Sequence, residues 1–128
     1  MGMEHRITPA PGAPITWDAI AALLTGCKYP VDVRMIDGEL AFPGEQPPAD
    51  WREVRVGTPA GMITLRREPD ALAVVTWGNA DAALHQAWNT LAWACAEATG
   101  GRVAVEGGLV SAAEFRRRAA LPEPPPAE

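Results

Sequence analysis

Residues 62–101 read MITLRREPDALAVVTWGNADAALHQAWNTLAWACAEATGG, and this stretch sets two strands ahead of one long helix. MITLRR and LAVVTW are apolar, β-branched runs parted by the turn Glu68-Pro69-Asp70, so they read as adjacent antiparallel strands. The second is apolar on both faces, which places it centrally in a sheet. From Asn79 or Asp81 the apolar period changes to that of a helix, at about 100° per residue. Leu84, Trp88, Leu91, Cys95 and Ala98 then share one arc, and Gly100-Gly101 end the helix. Trp93 falls nearly opposite that arc, among Gln86, Asn89, Thr90 and Glu97. An indole on a polar face needs a partner that the helix alone does not supply.

Working toward the N-terminus, Thr58-Pro59-Ala60-Gly61 is a turn, residues 53–56 are extended, and PGEQPPAD is a loop ending at Trp51, which reads as lid, edge cover or contact residue. VDVRMI and ELAF flank Asp37-Gly38, a two-residue type I′ hairpin in which both turn residues take positive φ. Pairing Ile36 with Glu39 sets Met35 opposite Leu40 and Val33 opposite Phe42, with the large apolar side chains on one face. Thr16 caps a short helix over 17–25 whose Trp17, Ile20, Ala21, Leu23 and Leu24 share a face, and Gly26 offers a left-handed stop. Toward the C-terminus, RVAV is a short strand. Ser111 and Glu114 form a capping box for a last helix, with Val110 stapled onto Phe115. Arg116, Arg117 and Arg118 follow near that helix's end, where positive charge suits the dipole.

The order is α-β-β-β-β-α-β-α, an α+β fold with an antiparallel sheet of about four to five strands covered by a long helix and two short ones. Trp77 and Trp88 belong between sheet and long helix, and Trp17 covers an edge. Residues 1–14, with three prolines, read as a flexible leader; 15–121 form the domain; and 122–128, PEPPPAE, read as a disordered tail. A chain of 128 residues that is 48% hydrophobic suffices for one core.

Composition excludes several function classes. A net charge of −5 repels a phosphate backbone, so nucleic acid is not an expected partner. No run of about 18 apolar residues spans a bilayer, no signal-peptide core precedes the domain, and the long helix lacks the basic flanks of a membrane-surface helix. The reading is a cytoplasmic protein, and ten arginines against the single Lys28 suggest a GC-rich bacterial genome. Cys27 and Cys95 have neither metal-ligand nor CxxC spacing, so they read as small core residues, and no metal is expected. The paired glycines do not precede a helix in a phosphate-binding context, and no cofactor is expected.

Of two histidines, His5 lies in the leader and His85 on the long helix, with Asp81 one turn back and Asn89 one turn on. His85 reads first as a boundary residue at the helix-sheet seam. No GxSxG or equivalent marks a nucleophile.

The passage Ala96 to Phe115, AEATGGRVAVEGGLVSAAEF, resembles the ending of several small bacterial α+β families, where a helix closes on Thr-Gly-Gly, a strand follows and a Ser-x-x-Glu-aromatic helix finishes the domain. Where many of them carry Asp-Pro after the strand, this chain has Val105-Glu106-Gly107. The families are mostly of unknown function and some are immunity-like, neutralising a toxin; the resemblance implies a fold and transfers no site residue.

Two functions are compatible with these residues. The first is a non-catalytic protein-interaction domain, a homodimer or a binder of another protein, contacting its partner through Trp93, Gln86, Asn89 and Trp51. Trp93 could instead lie beneath the first helix, the proline-rich tail or the loop around Trp51. The second is a small-molecule binder or enzyme with a pocket between sheet and long helix, and His85, Trp88 and Trp51 near its mouth.

Overall fold

The computed structural model describes residues 3–76 and 81–121. Its elements are β1 (Met3–Thr8), α1 (Trp17–Gly26), β2 (Asp32–Ile36), β3 (Glu39–Leu40), β4 (Glu53–Thr58), β5 (Gly61–Glu68), β6 (Ala71–Thr76), α2 (Ala82–Thr99), β7 (Arg102–Val105), β8 (Gly108–Ser111) and α3 (Ala112–Arg118). All neighbouring strands are antiparallel, in one sheet of order β3-β2-β4-β5-β6-β1-β7-β8. The α+β class and the three helices stand. The sheet has eight strands, however, not four to five, and the chain begins on a strand.

β1 and β8 match none of the segments read as extended from the sequence. β1 occupies residues 3–8 of the presumed leader, lies between β6 and β7, and turns Met3, His5 and Ile7 to the helix layer while Glu4, Arg6 and Thr8 face away. That alternation is a strand pattern, but a histidine in the middle and the prolines just after it hide so short a signal. β8 follows β7 through Glu106-Gly107, with both Gly107 and Gly108 at positive φ. RVAV therefore joins the sheet between the first strand and β8. Gly101 enables that junction, since a Cβ there would lie 2.3 Å from the Thr8 carbonyl oxygen.

The helices share one face, and the core between them and the sheet gathers Ile7, Ile20, Leu24, Val54, Val56, Ile63, Leu65, Leu72, Val74, Leu91 and Val103. Each such side chain removed from water contributes roughly 1.5 to 3 kcal/mol. β6 is buried along its whole length, as its two-faced apolarity predicts. The other face of the sheet carries ion pairs of Arg6 with Glu4 and Glu68, Arg34 with Asp32, and Arg55 with Glu53.

The end signals work locally with one exception. Thr16, Asp81 and Ser111 accept from the backbone N–H of Ala19, Leu84 and Glu114, and Gly100 ends α2 at φ 61°. Gly26, by contrast, is the last residue of α1, and the left-handed position is taken two residues later by Lys28 at φ 57°. Asp37 and Gly38 have φ of 50° and 85°, and Met35 pairs with Leu40 and Ile36 with Glu39 as the register requires. The pairing stops there, before Phe42, and Leu40 and Phe42 are 81% and 78% exposed. Trp77, Asn79 and the tail 122–128 lie outside the described residues.

Candidate functional site

Four of the sequence-nominated residues, His85, Gln86, Asn89 and Trp93, gather along the side of α2 that looks toward α1 and α3. An open hollow of about 560 Å³ is bounded by Asp81, His85, Gln86 and Asn89 of α2 and by Ala119 and Ala120 after α3. Gln86 also borders a narrower cleft of about 120 Å³, shared with Thr90, Trp93, Cys27, Tyr29, Arg116 and Leu121.

Trp93 is not a contact residue held out to solvent. It is 6% exposed and belongs to the core, bordered by Leu23, Gly26 and Cys27 of the α1 end and by Ala113 and Arg116 of α3. The Arg116 guanidinium lies 4.4 Å from its ring centroid, a cation-π contact. The polar side of α2 thus meets two other helices, and α2 is buried on both flanks. That tertiary cover is the partner its indole requires.

Beside His85 and Asn89 lies the chemistry that sequence reasoning missed. His5, brought in by β1, stacks on Trp88 at 3.7 Å between centroids and 17° between planes, and meets Phe115 edge-on at 5.0 Å. Its Nε2 lies 2.7 Å from Asn89 Oδ1, which fixes the proton on Nε2 if the amide oxygen accepts. The Trp88 indole N–H donates to the Val74 carbonyl at 2.8 Å, fastening α2 to β6. His85 closes the group from outside, edge-on to Trp88 at 5.4 Å. Burial lowers the His5 pKa; the Asn89 hydrogen bond opposes this in part, and the charge of nearby His85 adds to it. His5 is thus held neutral at pH 7. The only sequence signal for it was the Met3-His5-Ile7 alternation.

The rings of this cluster are engaged in stacking, edge-on contacts and hydrogen bonds. Asp81 is engaged as the α2 cap, its Oδ1 accepting from the Leu84 N–H. The Cys95 thiol is wholly buried, which pushes its pKa far up and leaves no accessible thiolate. Among the described residues no group of three or more His, Cys, Asp or Glu side chains is placed to hold a metal. Nor is any helix among them long and apolar enough to cross a membrane.

Trp51 and Trp88 are likewise core residues. Trp51 is 1% exposed, far along the sheet from His85, and carries the Arg67 guanidinium 5.3 Å from its ring centroid. Arg67 also donates to the Ala49 and Trp51 carbonyls, so it pins the end of the Pro-rich loop onto β5. On α3, Arg117 and Arg118 both bond the Glu114 carboxylate and pull its pKa down to about 2.

Large apolar side chains stand in water at both ends of the sheet, Leu40 and Phe42 at one and Leu109, 48% exposed, at the other, and Met62 of the interior strand β5 is 42% exposed. Comparison of the chain with protein-family profiles, with curated proteins and with solved structures finds no match.

Proposed function

We propose that this chain is a non-catalytic protein-interaction domain of the bacterial cytoplasm that docks another protein through the β2-β3 hairpin, and not through Trp93. The observation that carries this reading is the exposure of Leu40 and Phe42, two residues apart beside a sheet edge, while every other aromatic residue described is at least partly buried. Exposed adjacent large apolar residues mark contact surfaces more than scattered single ones do. Around them stand Asp32, Asp37, Glu39 and Glu45, four acids against Arg34, which is paired with Asp32, and Arg52, whose charge acts on Asp37. The fitting partner is therefore a protein with an apolar recess and a basic rim. An immunity-type role, in which an acidic domain covers a basic toxin, is one form of this chemistry.

The hairpin is rigid enough to present these groups. Asp37 Oδ1 accepts from the Arg52 and Glu53 N–H groups at 2.8 and 2.9 Å, and Glu45 accepts from Phe42 N–H at 2.9 Å. A photo-crosslinking residue placed at position 42, and a control at position 104 of β7, tests the reading in the host cell. A discrete adduct at 42 that fades with added salt and is missing at 104 supports it. Equal labelling at both positions, or none at 42, would discard it.

A further inference from the structure

We propose that two copies of this chain join along the outer edges of their β8 strands, antiparallel about a two-fold axis, to form one continuous sheet. The eight-stranded order leaves β3 and β8 as edges. Native sheets blunt their edges with short strands, charge or proline. β3 has such devices: it is two residues long, begins on Glu39 and is followed by Pro43. β8 is twice as long at four residues, GLVS carries no charge and no proline, and no strand of the described residues lies beyond it.

The β8 backbone is presented outward in a defined way. β7 and β8 are joined by two residues, with Val105 opposite Gly108 and Ala104 opposite Leu109. The closing pair of such a hairpin exchanges hydrogen bonds, so the next residue, Leu109, aims its N–H and C=O away from β7. The other two-residue hairpin obeys the same rule. There Ile36 and Glu39 close the turn, and Ala41 N–H donates to the Arg34 carbonyl at 3.0 Å, two residues along from that pair.

Centred on Leu109, a β8-β8 pairing lets each Leu109 N–H donate to the other's carbonyl, and Ser111 comes opposite Gly107. The two Leu109 side chains meet on the helix-free face and leave water together. A two-fold axis makes one patch serve as donor and acceptor at once, which is why the occupant is a second copy. Glu106, the only charge in EGGLVS, falls at opposite ends of the seam in the two chains, so like charges do not meet. Each copy's sheet spans seven strand spacings, roughly 34 Å, so the dimer carries its two β2-β3 hairpins at far ends. That bivalent display rests on the hairpin reading above; the seam does not.

Light scattering on the full chain over a dilution series, beside Leu109→Lys and Leu109→Pro, tests the seam. The wild type should show twice 13.6 kDa when concentrated and fall to 13.6 kDa on dilution. Both variants should stay at 13.6 kDa with unchanged circular dichroism. Lysine alters only an exposed side chain, so it decides the matter if the proline variant misfolds. Amide exchange at Leu109 should be slow in concentrated wild type and fast on dilution. A wild type that is monomeric throughout, or a dimer that Leu109→Lys leaves intact, overturns the proposal. A dimer lost on Phe42→Ser but kept on Leu109→Lys would place the contact at the hairpin instead.

Discussion

The two ends of the sheet are both two-residue hairpins, yet one leaves Leu40 and Phe42 in water while the other packs Val103 and Val110 against the core and leaves only Leu109 outward. At the β2-β3 end, Leu40 is almost wholly exposed; at the β7-β8 end, Val103 is fully buried and Val110 packs against the core. The turns do not account for the difference. α3 lies over β7 and β8, whereas the hairpin strand β3 is left uncovered at Leu40. Burial of a strand's apolar face depends on what lies above it, and turn chemistry fixes only where the strand reverses.

The largest effect should come from breaking the attachment of the β7-β8 end. Only two residue pairs, Ile7 with Val103 and Thr8 with Arg102, join β7 to β1. Gly101→Val drives a side chain into the Thr8 carbonyl and the Pro9 Cα, both backbone, and should cost about 3 kcal/mol or more in urea unfolding. Gly107→Ala, at φ 95° with no atom near its Cβ, should cost only about 1 to 2 kcal/mol. Equal losses would mean that close approach is not what holds this end.

Next in size is His5→Ala, which removes the stack on Trp88 and the Asn89 bond and should cost about 2 kcal/mol. Because the folded-state pKa of His5 lies below its unfolded value, the unfolded chain takes up the proton first as pH falls. The stability from neutral His5 is therefore whole above about pH 6.5 and declines as pH drops toward the folded value. His5→Gln should flatten that part of the denaturation midpoint against pH. An unchanged slope would show that another group titrates there.

At the other end, Asp37→Ala should cost about 1 kcal/mol by freeing two N–H groups, with Asp37→Asn recovering part. Those two backbone bonds lower the Asp37 pKa, so its contribution is complete above about pH 4 and fades as pH falls below the unfolded value. Smallest of all, Leu40→Ser and Phe42→Ser should move thermal stability by no more than about 0.5 kcal/mol. A large loss at either would show that the hairpin is packed against something, which would undo the contrast between the ends.

The elements legible in the sequence were those with strong local signals: the Asp37-Gly38 turn and its register, the caps at Thr16, Asp81 and Ser111, and the two-faced apolarity of β6. The illegible ones were short and depended on distant chain. β1 is stabilised by ladders to β6 and β7, residues far along the chain, and Pro9 gives no hint of them. Of the candidate residues, Gln86, His85 and Asn89 do lie together on α2, since helical spacing fixes which residues are neighbours. Their company does not follow from spacing. His5 enters from another strand, and Trp93 is covered by two other helices.

The sequence by itself determined where this chain turns, where its helices begin and end, and that helices lie on one side of an antiparallel sheet, because these follow from backbone preferences and apolar periods within a few residues. Only the tertiary structure decided that residues 3–8 are a strand inside the sheet, that Trp93 is core, and that the outward large apolar groups are Leu40, Phe42, Met62 and Leu109. The physical reason is that exposure is a property of neighbours: a side chain leaves water only when another part of the chain arrives to cover it, and periodicity does not encode which part arrives.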